Sequence, residues 1–205
     1  MITIGVTGIM GSGKSFVSGI FGKLGAEVID ADEIVHELMR PGTAVAGEIA
    51  KAFGEDVLDG GGAVDRKKLA VKVFLREPGR VSELNSIIHP EVIKAIETRL
   101  FLAEKRGVRA VVIDAPLLIE TGLNERMNYT VCVRASAEKA LERLLREGKA
   151  DRGDFKARMK HQLDASEKEK FADFVLDNNG AAEKTESQVR EIWERITGGK
   201  KYEYC

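Results

Sequence analysis

Cysteine is scarce in this sequence: only two occur among 205 residues, Cys132 and Cys205, and they form no C-x-x-C pair. Two isolated cysteines exclude a disulfide framework and indicate a reducing compartment, so we expect a cytoplasmic protein. The first residues show neither the basic segment nor the long apolar run of a secretory signal. Because no apolar stretch approaches the roughly 18–20 residues of a membrane span, we expect no membrane to take part.

An excess of charge of one sign is also missing. Lys and Arg number 32 against 33 Asp and Glu, a formal net charge of −1. This balance argues against a general nucleic-acid coat protein or a polybasic membrane binder, so we expect no nucleic-acid partner and expect any cationic site to be a local cluster. Hydrophobic residues make up 43% of the chain. That content, at the length of an ordinary domain, predicts one domain over residues 1–205 with a sizeable core.

Five short apolar runs rich in Val and Ile have the length of buried strands rather than of helices. Segments with helical periodicity lie between them, including Val189, Ile192, Trp193 and Ile196 on one face near the C-terminus. This alternation predicts an α/β protein with a parallel sheet covered by helices on both faces. The predicted strands are Ile2–Thr7, Val28–Asp30, Ala110–Ala115, Tyr129–Val133 and Phe174–Asp177.

Two insertions interrupt the alternation. About 80 residues between the second and third strands contain helical patterns and no strand signal, which predicts a helical lobe over about 41–105. A charged stretch over about 147–169 follows the fourth strand and is either a mobile lid or a plain solvated helix. The predicted core then comprises about 1–40, 106–146 and 170–205.

The strongest motif is Gly8-Ile-Met-Gly-Ser-Gly13-Lys14-Ser15, which fits G-x-x-x-x-G-K-[ST] at every specified position. A predicted strand precedes it and a helical pattern follows it, as a phosphate loop requires. Glycines let the backbone wrap around phosphates, and the loop amides face the anion together with the helix N-terminus. Within the loop we assign nucleotide binding to Gly8, Gly11, Ser12, Gly13, Lys14, Ser15 and the next residue, Phe16. Lys14 is the point charge for the β- and γ-phosphates, and the Ser15 hydroxyl is the Mg²⁺ ligand.

The third predicted strand ends in a carboxylate, Asp114, in the form of a Walker B element. Such an aspartate holds Mg²⁺ through water. Two alternatives stay open: a strand-end cap for the following turn, and a partner that positions Lys14.

Three classes of phosphate-loop protein compete. A GTPase switch reads guanine with an N-K-x-D loop, which this sequence lacks. An ATPase subunit or motor usually has a larger chain or additional interaction modules, for which 205 residues leave little room. A small-molecule kinase needs an acceptor lobe and an arginine-bearing lid that shields the transferring phosphoryl group from water, and the two insertions supply both. The kinase class is therefore favoured.

The second predicted strand leads into Asp30-Ala31-Asp32. Ligands of open α/β sheets bind at the carboxyl ends of the strands, which places Asp32 near the γ-phosphate. There it can accept a hydrogen bond from an attacking hydroxyl, and orienting that hydroxyl is the main task of a base in phosphoryl transfer. The alternative is that one of the two aspartates caps the next helix; Asp30 is the better candidate for that structural role.

Taken in order, the motifs of the chain resemble those of the dephospho-CoA kinase family, and the resemblance covers essentially all 205 residues. The matching segments are Ile4-Gly-Val-Thr-Gly8 with the phosphate loop, Val28-Ile-Asp-Ala-Asp32, His36-Glu-Leu38, Asp65-Arg-Lys-Lys-Leu69, Leu84-Asn-Ser-Ile-Ile-His-Pro90, Asp114-Ala-Pro-Leu-Leu-Ile-Glu120 and Asp173-Phe-Val-Leu-Asp-Asn-Asn-Gly180.

The resemblance implies a five-stranded parallel core, a helical acceptor lobe and a lid, and transfer of the γ-phosphoryl group of ATP to the ribose 3′-hydroxyl of dephospho-CoA. It also implies that Asp32 orients that hydroxyl, that Thr7 and His89 contact the acceptor, and that Asn178 borders the adenine. For His89 the residues alone equally allow a structural His-Pro helix start, and Asn-Asn-Gly at Asn178 is equally a turn signature. Other small kinases and a non-catalytic nucleotide switch remain the alternative functions.

A lid arginine is expected to stabilise charge on the transferring oxygens, and Arg143, Arg146 and Arg158 are the candidates. We assign the role to Arg146. The family pattern E-R-x-x-x-R-D-G has four positions from Arg to Arg, whereas Glu142-Arg143-Leu-Leu-Arg146-Glu-Gly148 has three. One residue turns a helical side chain by about 100°, so another of these arginines is the alternative. At Phe16 the family more often has Thr, a departure that we expect to have little effect on phosphate binding.

Overall fold

The computed structural model describes residues 1–76 and 78–198. Its centre is a sheet of five parallel strands, each within one residue of the predicted run at either end. All five predicted strands are therefore confirmed. The strands are β1 Ile2–Thr7, β2 Glu27–Asp30, β3 Ala110–Asp114, β4 Tyr129–Arg134 and β5 Phe174–Asp177.

The strand order is β2-β3-β1-β4-β5, so β1 lies in the middle with β3 and β4 on its two sides. All neighbours are parallel, and their carboxyl ends meet at one edge. The chain leaves β1 toward β2 on one side and later crosses to β4 on the other. A strand order that diverges in this way opens a crevice at the carboxyl end of the central strand, where α/β proteins bind ligands.

Helices connect the strands, as the alternating pattern predicted. The apolar core lies between the sheet and helices α1 and α9, and the rings of Phe21 and Trp193 pack there with centroids 6.0 Å apart. The α-helices are α1 Lys14–Lys23, α2 Ala31–Leu38, α3 Ala44–Phe53, α4 Arg66–Ala70, α5 Val81–Lys105, α6 Ala137–Arg146, α7 Arg152–Met159, α8 Ala165–Lys170 and α9 Ala182–Thr197. None of the helices in the described residues is long and apolar enough to cross a membrane.

The chain divides into two compact units, residues 1–30 with 99–205, and residues 31–98. The second unit contains α2, α3, α4 and most of α5, a π-helix at Val71–Arg76, and short 3-10 turns at Glu55–Val57 and Pro78–Arg80. Its own apolar core includes Ile49, Phe53 and Val73. These unit boundaries lie earlier in the chain than the predicted lobe boundaries at about 41 and 105, and the functional division into acceptor lobe and lid stays a prediction.

Helix α5 corrects one sequence-based alternative. Pro90 lies inside α5, nine residues after the helix begins at Val81, so His89-Pro90 does not start a helix. Proline has no amide hydrogen and leaves the carbonyl one turn earlier without its helical donor. The residues on either side keep a helical pattern, which carries the helix past this break.

The charged stretch between β4 and β5 contains two helices, α7 and α8, separated by residues 160–164. Asp151 begins α7 by accepting a hydrogen bond from the Asp154 amide at 2.8 Å. Phe155 of α7 is buried beside Ile9 of the phosphate loop and Leu144 of α6. The segment is therefore more than a solvated helix. The residues beyond Gly198, Cys205 among them, lie outside the described residues.

Candidate phosphate-binding and catalytic site

The loop between β1 and α1 has the backbone that its glycines predicted. Gly11 and Gly13 have φ angles of 78° and 93°, in the left-handed region that favours glycine. A Cβ atom on Gly13 would lie 2.2 Å from Asn178 Nδ2, and one on Gly11 would lie 2.4 Å from the Ala140 carbonyl oxygen. Neither position has room for a side chain, so both glycines are required by conformation and by close packing.

The start of helix α1 presents the charge that an anion needs. Lys14 is the first residue of α1, and its Nζ donates to the carbonyl oxygens of Gly8 at 3.3 Å and Ile9 at 3.2 Å. These bonds hold the ammonium group across the loop. The first turn of α1 contains no acidic residue, so the positive end of the helix dipole acts together with Lys14.

The remaining predicted loop residues differ in exposure. Ser15 is exposed at the helix start, as a hydroxyl that reaches a solvated metal ion must be. Phe16 is 40% exposed and has no polar side-chain atom, so only its backbone can contact a phosphate. Ser12 is fully buried, and within the described part of the chain its Oγ has no hydrogen-bond partner. Gly8 and Thr7 are also buried, directly before the loop.

Two side chains from outside the loop hold the Ser12 carbonyl oxygen. Asn178 Nδ2 donates to it at 2.7 Å, and Arg143 Nη1 donates at 3.1 Å. Arg143 Nη2 also donates to the Asn178 carbonyl at 2.6 Å. Thr185 Oγ1 donates to Asn178 Oδ1 at 2.8 Å, which fixes the orientation of the amide. We call these three side chains, Asn178, Arg143 and Thr185, the carbonyl clamp. It joins the loop to β5, α6 and α9.

Asn178 thus lies beside the phosphate loop, and both ends of its amide are bonded within the protein. Its contact with the adenine stays a prediction. The loop after β5 is itself tightly built: Asp177 Oδ1 accepts from the Asn179 amide at 2.8 Å and from Asn179 Nδ2 at 2.9 Å. These two hydrogen bonds hold the pKa of Asp177 below its usual value, with smaller contributions from nearby Lys184 and Arg134. An ionised Asp177 therefore keeps the turn, and with it Asn178, in place.

The arginine of α6 that reaches the loop is Arg143. Arg146 is exposed in the last turn of α6, and it makes no hydrogen bond with the loop in the part of the chain that the structure describes. The buried residue Leu144 explains the difference. Arg143 is one residue from it, about 100° around the helix, whereas Arg146 is two residues away, about 200° around and on the opposite face.

The carboxyl edge of the sheet brings two carboxylates side by side. Asp30 ends β2 and Asp114 ends β3, and the two are paired in register. Asp114 is 4% exposed and is also in register with Val6 of β1, one residue before Thr7. The next amide, that of Ala115, donates to the Val6 carbonyl at 3.0 Å. Asp114 therefore has the position of a Walker B carboxylate beside the strand that leads into the loop.

These residues fit a magnesium ion that is held mainly by phosphates and water. The described residues contain no group of three or more His, Cys, Asp or Glu side chains that could hold a metal by themselves. Mg²⁺ in nucleotide sites keeps several waters and takes only one or two protein oxygens. The exposed hydroxyl of Ser15 and the carboxylate of Asp114 are of the right chemical type for that arrangement.

Thr7 ends β1, and its Oγ1 lies 3.4 Å from the Pro116 carbonyl oxygen, to which it donates. Asp32 and His89 belong to the unit of residues 31–98. Asp32 is exposed in the first turn of α2, two residues after β2 ends, and His89 is half-buried on α5. The acceptor roles of these three residues stay predictions.

Sequence reasoning did not find Thr185, and it chose Arg146 over Arg143. Thr185 begins no motif and sits on a helix, so no spacing pointed to it. Arg143 could have been preferred by its place on the α6 helix relative to the buried residues Ala140 and Leu144. Lys168 and Glu120, an ion pair whose lysine is fully buried, were also missed, because Lys168 stands among the other charged residues of α8.

Known proteins are similar to this chain over nearly its whole length. The family model for dephospho-CoA kinase matches residues 2–184. A curated dephospho-CoA kinase from Corynebacterium diphtheriae is 38% identical over 196 residues, 96% of this chain and 98% of that protein. One from Aquifex aeolicus is 38% identical over 197 residues, with the same coverage of 96% and 98%.

Solved structures extend the comparison. A Thermus thermophilus crystal structure, of the protein TT1252, matches with a TM-score of 0.73 and 32% identity over 96% of this chain and 98% of that chain. A shikimate kinase from Acinetobacter baumannii has a TM-score of 0.56 and 16% identity over 98% and 95%, which shows a shared fold alone. The phosphate loop, the carboxylate beside it and the full-length match lead to one conclusion: this chain belongs to the dephospho-CoA kinase family.

Proposed function

We propose that this protein transfers the γ-phosphoryl group of ATP to the ribose 3′-hydroxyl of dephospho-CoA, giving coenzyme A and ADP with Mg²⁺ as cofactor. The observation that carries the proposal is the built phosphate loop, with Lys14 held across it, in a chain that matches the dephospho-CoA kinase family over residues 2–184. In this reaction the 3′-oxygen forms a bond to the γ-phosphorus while the bond from that phosphorus to the β,γ-bridging oxygen breaks. The hydroxyl proton leaves toward a carboxylate or solvent.

The phosphate end of ATP is bound by backbone and one side chain. The loop amides and the N-terminus of α1 face the phosphates, and Lys14 neutralises the β- and γ-oxygens. Two of its present acceptors, the carbonyl oxygens of Gly8 at 3.3 Å and Ile9 at 3.2 Å, are neutral. A phosphate oxygen gives the ammonium group a charged partner, so exchange of a carbonyl for a phosphate is favourable. Ser15 and Asp114 would hold Mg²⁺, which offsets charge on the phosphates.

Asp32 is the residue that we assign to orient the acceptor hydroxyl. It follows β2, whose last residue, Asp30, is paired with Asp114 at the carboxyl edge. An exposed carboxylate in the first turn of a helix can turn toward a bound ligand. Thr7 and His89 complete the proposed acceptor contacts.

The lid is assigned to 147–169, and an arginine on or next to it would stabilise the transferring phosphoryl group. Arg143 already contacts the loop backbone, so its charge lies beside the phosphate site. Arg158 is on α7, the helix whose Phe155 packs against the phosphate loop. Both are better supported than Arg146 for this role. The cytoplasmic location stays a prediction from the scarcity of cysteine.

The test is ADP release from MgATP with dephospho-CoA, run beside AMP, CMP, UMP, GMP and shikimate, with the product mass recorded. We expect rapid release with dephospho-CoA alone and a product with the mass of coenzyme A. Lys14→Ala should abolish turnover, because it removes the charge that neutralises the β- and γ-oxygens, and circular dichroism should show that the fold is kept.

Two results would contradict the proposal in different ways. ADP release with a monophosphate or shikimate in place of dephospho-CoA would agree with the assignment of the phosphate loop but would show that dephospho-CoA is not the acceptor. ATP binding without release on any acceptor would favour the nucleotide switch.

A further inference from the structure

A fully buried lysine lies behind the catalytic edge of the sheet. Lys168, on α8, has a side chain that is 0% exposed, and its Nζ donates three hydrogen bonds. The acceptors are the Pro116 carbonyl at 2.6 Å and the two carboxylate oxygens of Glu120 at 2.7 and 2.9 Å. An ammonium group has three protons, so all its donors are used.

The same ion pair joins three segments of the chain. Pro116 and Glu120 lie on the turn that follows β3, two and six residues after Asp114. Glu120 Oε1 also accepts from the Leu163 amide at 2.9 Å, at the point where the chain returns from α7. Pro116 in turn accepts the Thr7 hydroxyl at the end of β1. We call Lys168 and Glu120 the lid anchor, because they fix the returning end of the proposed lid to the strands that carry the phosphate loop and Asp114.

The next residue of α8 strengthens this attachment. Glu169 accepts two hydrogen bonds from Arg134, the last residue of β4, at 2.7 and 2.5 Å. Consecutive residues of α8 thus bond to β3's turn and to β4. Charged hydrogen bonds fix α8 to the sheet. Helix α7 packs through Phe155 and Met159 in a small apolar cluster with Ile9 and Leu144, and Ala165 of α8 packs against the same cluster.

A buried ion pair is an unusual means of stabilising a fold. Removing two charges from water costs several kcal/mol per ion, and apolar residues of similar size are often as stable or more so. What an ion pair with three short hydrogen bonds gives is one fixed geometry. Arg158 lies five residues before Leu163, on α7, where its Nε also donates to Asp154 Oδ1 at 2.9 Å.

We propose that Lys168 is a positioning residue for phosphoryl transfer: with Glu120 it fixes Leu163, and so sets where Arg158 of the lid meets the transferring phosphoryl group. The proposal rests on the kinase activity proposed above. We therefore expect a substitution of Lys168 to change the chemical step more than ATP binding, since its three acceptors lie on Pro116 and Glu120 and not on the phosphate loop or the carbonyl clamp. Misplacing a catalytic group by about 1 Å can cost up to about 100-fold in rate.

The test compares Lys168→Met with Lys170→Met, which removes an exposed ammonium group from the same helix. We expect Lys168→Met to lower kcat about 10–100-fold with the Kd for ATP nearly unchanged, and Lys170→Met to behave as the wild type. Hydrogen exchange at the Leu163 amide should be faster in Lys168→Met alone. This exchange measurement needs no substrate, so it reports on the anchor even if the acceptor assignment fails.

Two further variants separate positioning from stability. Lys168→Met alone leaves the Glu120 carboxylate without its ammonium partner, so we expect a lower melting temperature. Lys168→Met with Glu120→Gln removes both charges, and we expect this variant to melt near the wild-type temperature but to keep the low kcat. Arg158→Met combined with Lys168→Met should lower kcat no further than Arg158→Met alone, because the lysine acts through the arginine. Three results would overturn the proposal. The first is a variant with Lys168→Met and Glu120→Gln that regains both its melting temperature and its kcat. The others are losses in kcat from Arg158→Met and Lys168→Met that multiply, and hydrogen exchange at the Leu163 amide that is unchanged in Lys168→Met.

Discussion

Removal of the Asn178 side chain tests whether this residue supports ATP binding by holding the phosphate loop or by contacting the base directly. In the structure its amide is bonded to the Ser12 carbonyl and to Thr185, which favours a role through the phosphate loop rather than direct contact with the base. If the first role is correct, Thr185→Val should mimic part of the effect of Asn178→Ala, although Thr185 is fully buried and cannot touch a nucleotide.

The magnitude follows from the hydrogen bonds that are lost. Asn178→Ala removes bonds of 2.7 and 2.8 Å from a residue that is 5% exposed. The Ser12 carbonyl keeps Arg143 as a donor at 3.1 Å, so the main cost is the unpaired Thr185 hydroxyl and the space left behind. Leaving one buried polar group unpaired costs about 1–3 kcal/mol. We expect a loss of about 2–3 kcal/mol in total, or roughly 4–12 °C in melting temperature for a chain of this size.

The assay is urea unfolding of each variant together with the Kd for ATP from calorimetry. Asn178→Ala should raise the Kd about 10-fold, and Thr185→Val should raise it by a smaller factor and cost about 1–2 kcal/mol. Because both changes break the same bond, the double variant should be little worse than Asn178→Ala. Ser187→Ala, which removes an exposed hydroxyl from the same helix, is the control. A normal Kd in Thr185→Val with a weakened one in Asn178→Ala would refute the reasoning.

Two further predictions concern the acceptor side and the core. Asp32→Asn should lower kcat by about 100-fold or more while the Kd for ATP stays within about twofold, with Glu33→Gln as the control; an unchanged kcat would give Asp32 a structural role. Burial raises the pKa of Cys132 to about 11, so in a Cys205→Ser background the native protein should react slowly with Ellman's reagent at pH 8 and rapidly once unfolded. Between the ordinary value of 9.0 and about 11 only the unfolded thiol ionises, so this group should lower stability as pH rises through that range.

The strands and the phosphate loop could be predicted because their signals are local. A run such as Ala110–Asp114 is buried on both faces, so its composition alone marks it as a central parallel strand. The loop glycines are required by their own φ angles at Gly11 and Gly13. Neither inference needs knowledge of a distant residue.

The lid and the start of α5 could be predicted only in part. Sequence analysis placed a helical lobe before β3, but Pro90 suggested a helix boundary where α5 is in fact continuous. Packing of the helix on either side of the proline outweighs the loss of one hydrogen bond, and packing is not visible in a local pattern. The charged stretch 147–169 was read as either lid or solvated surface because its single deeply buried aromatic residue, Phe155, gives too weak a period.

The long-range hydrogen bonds that hold the site together could not be predicted from the sequence. Ser12 bonds to residues 131 and 166 positions away, and Lys168 bonds to residues about 50 positions away. No motif spacing encodes such pairs, because the topology of the sheet, and not the local sequence, brings them together. The anchor illustrates the consequence. Lys168 stands among many charges in its stretch of sequence, yet it is fully buried and has three acceptors, which is the basis for the positioning role proposed for it.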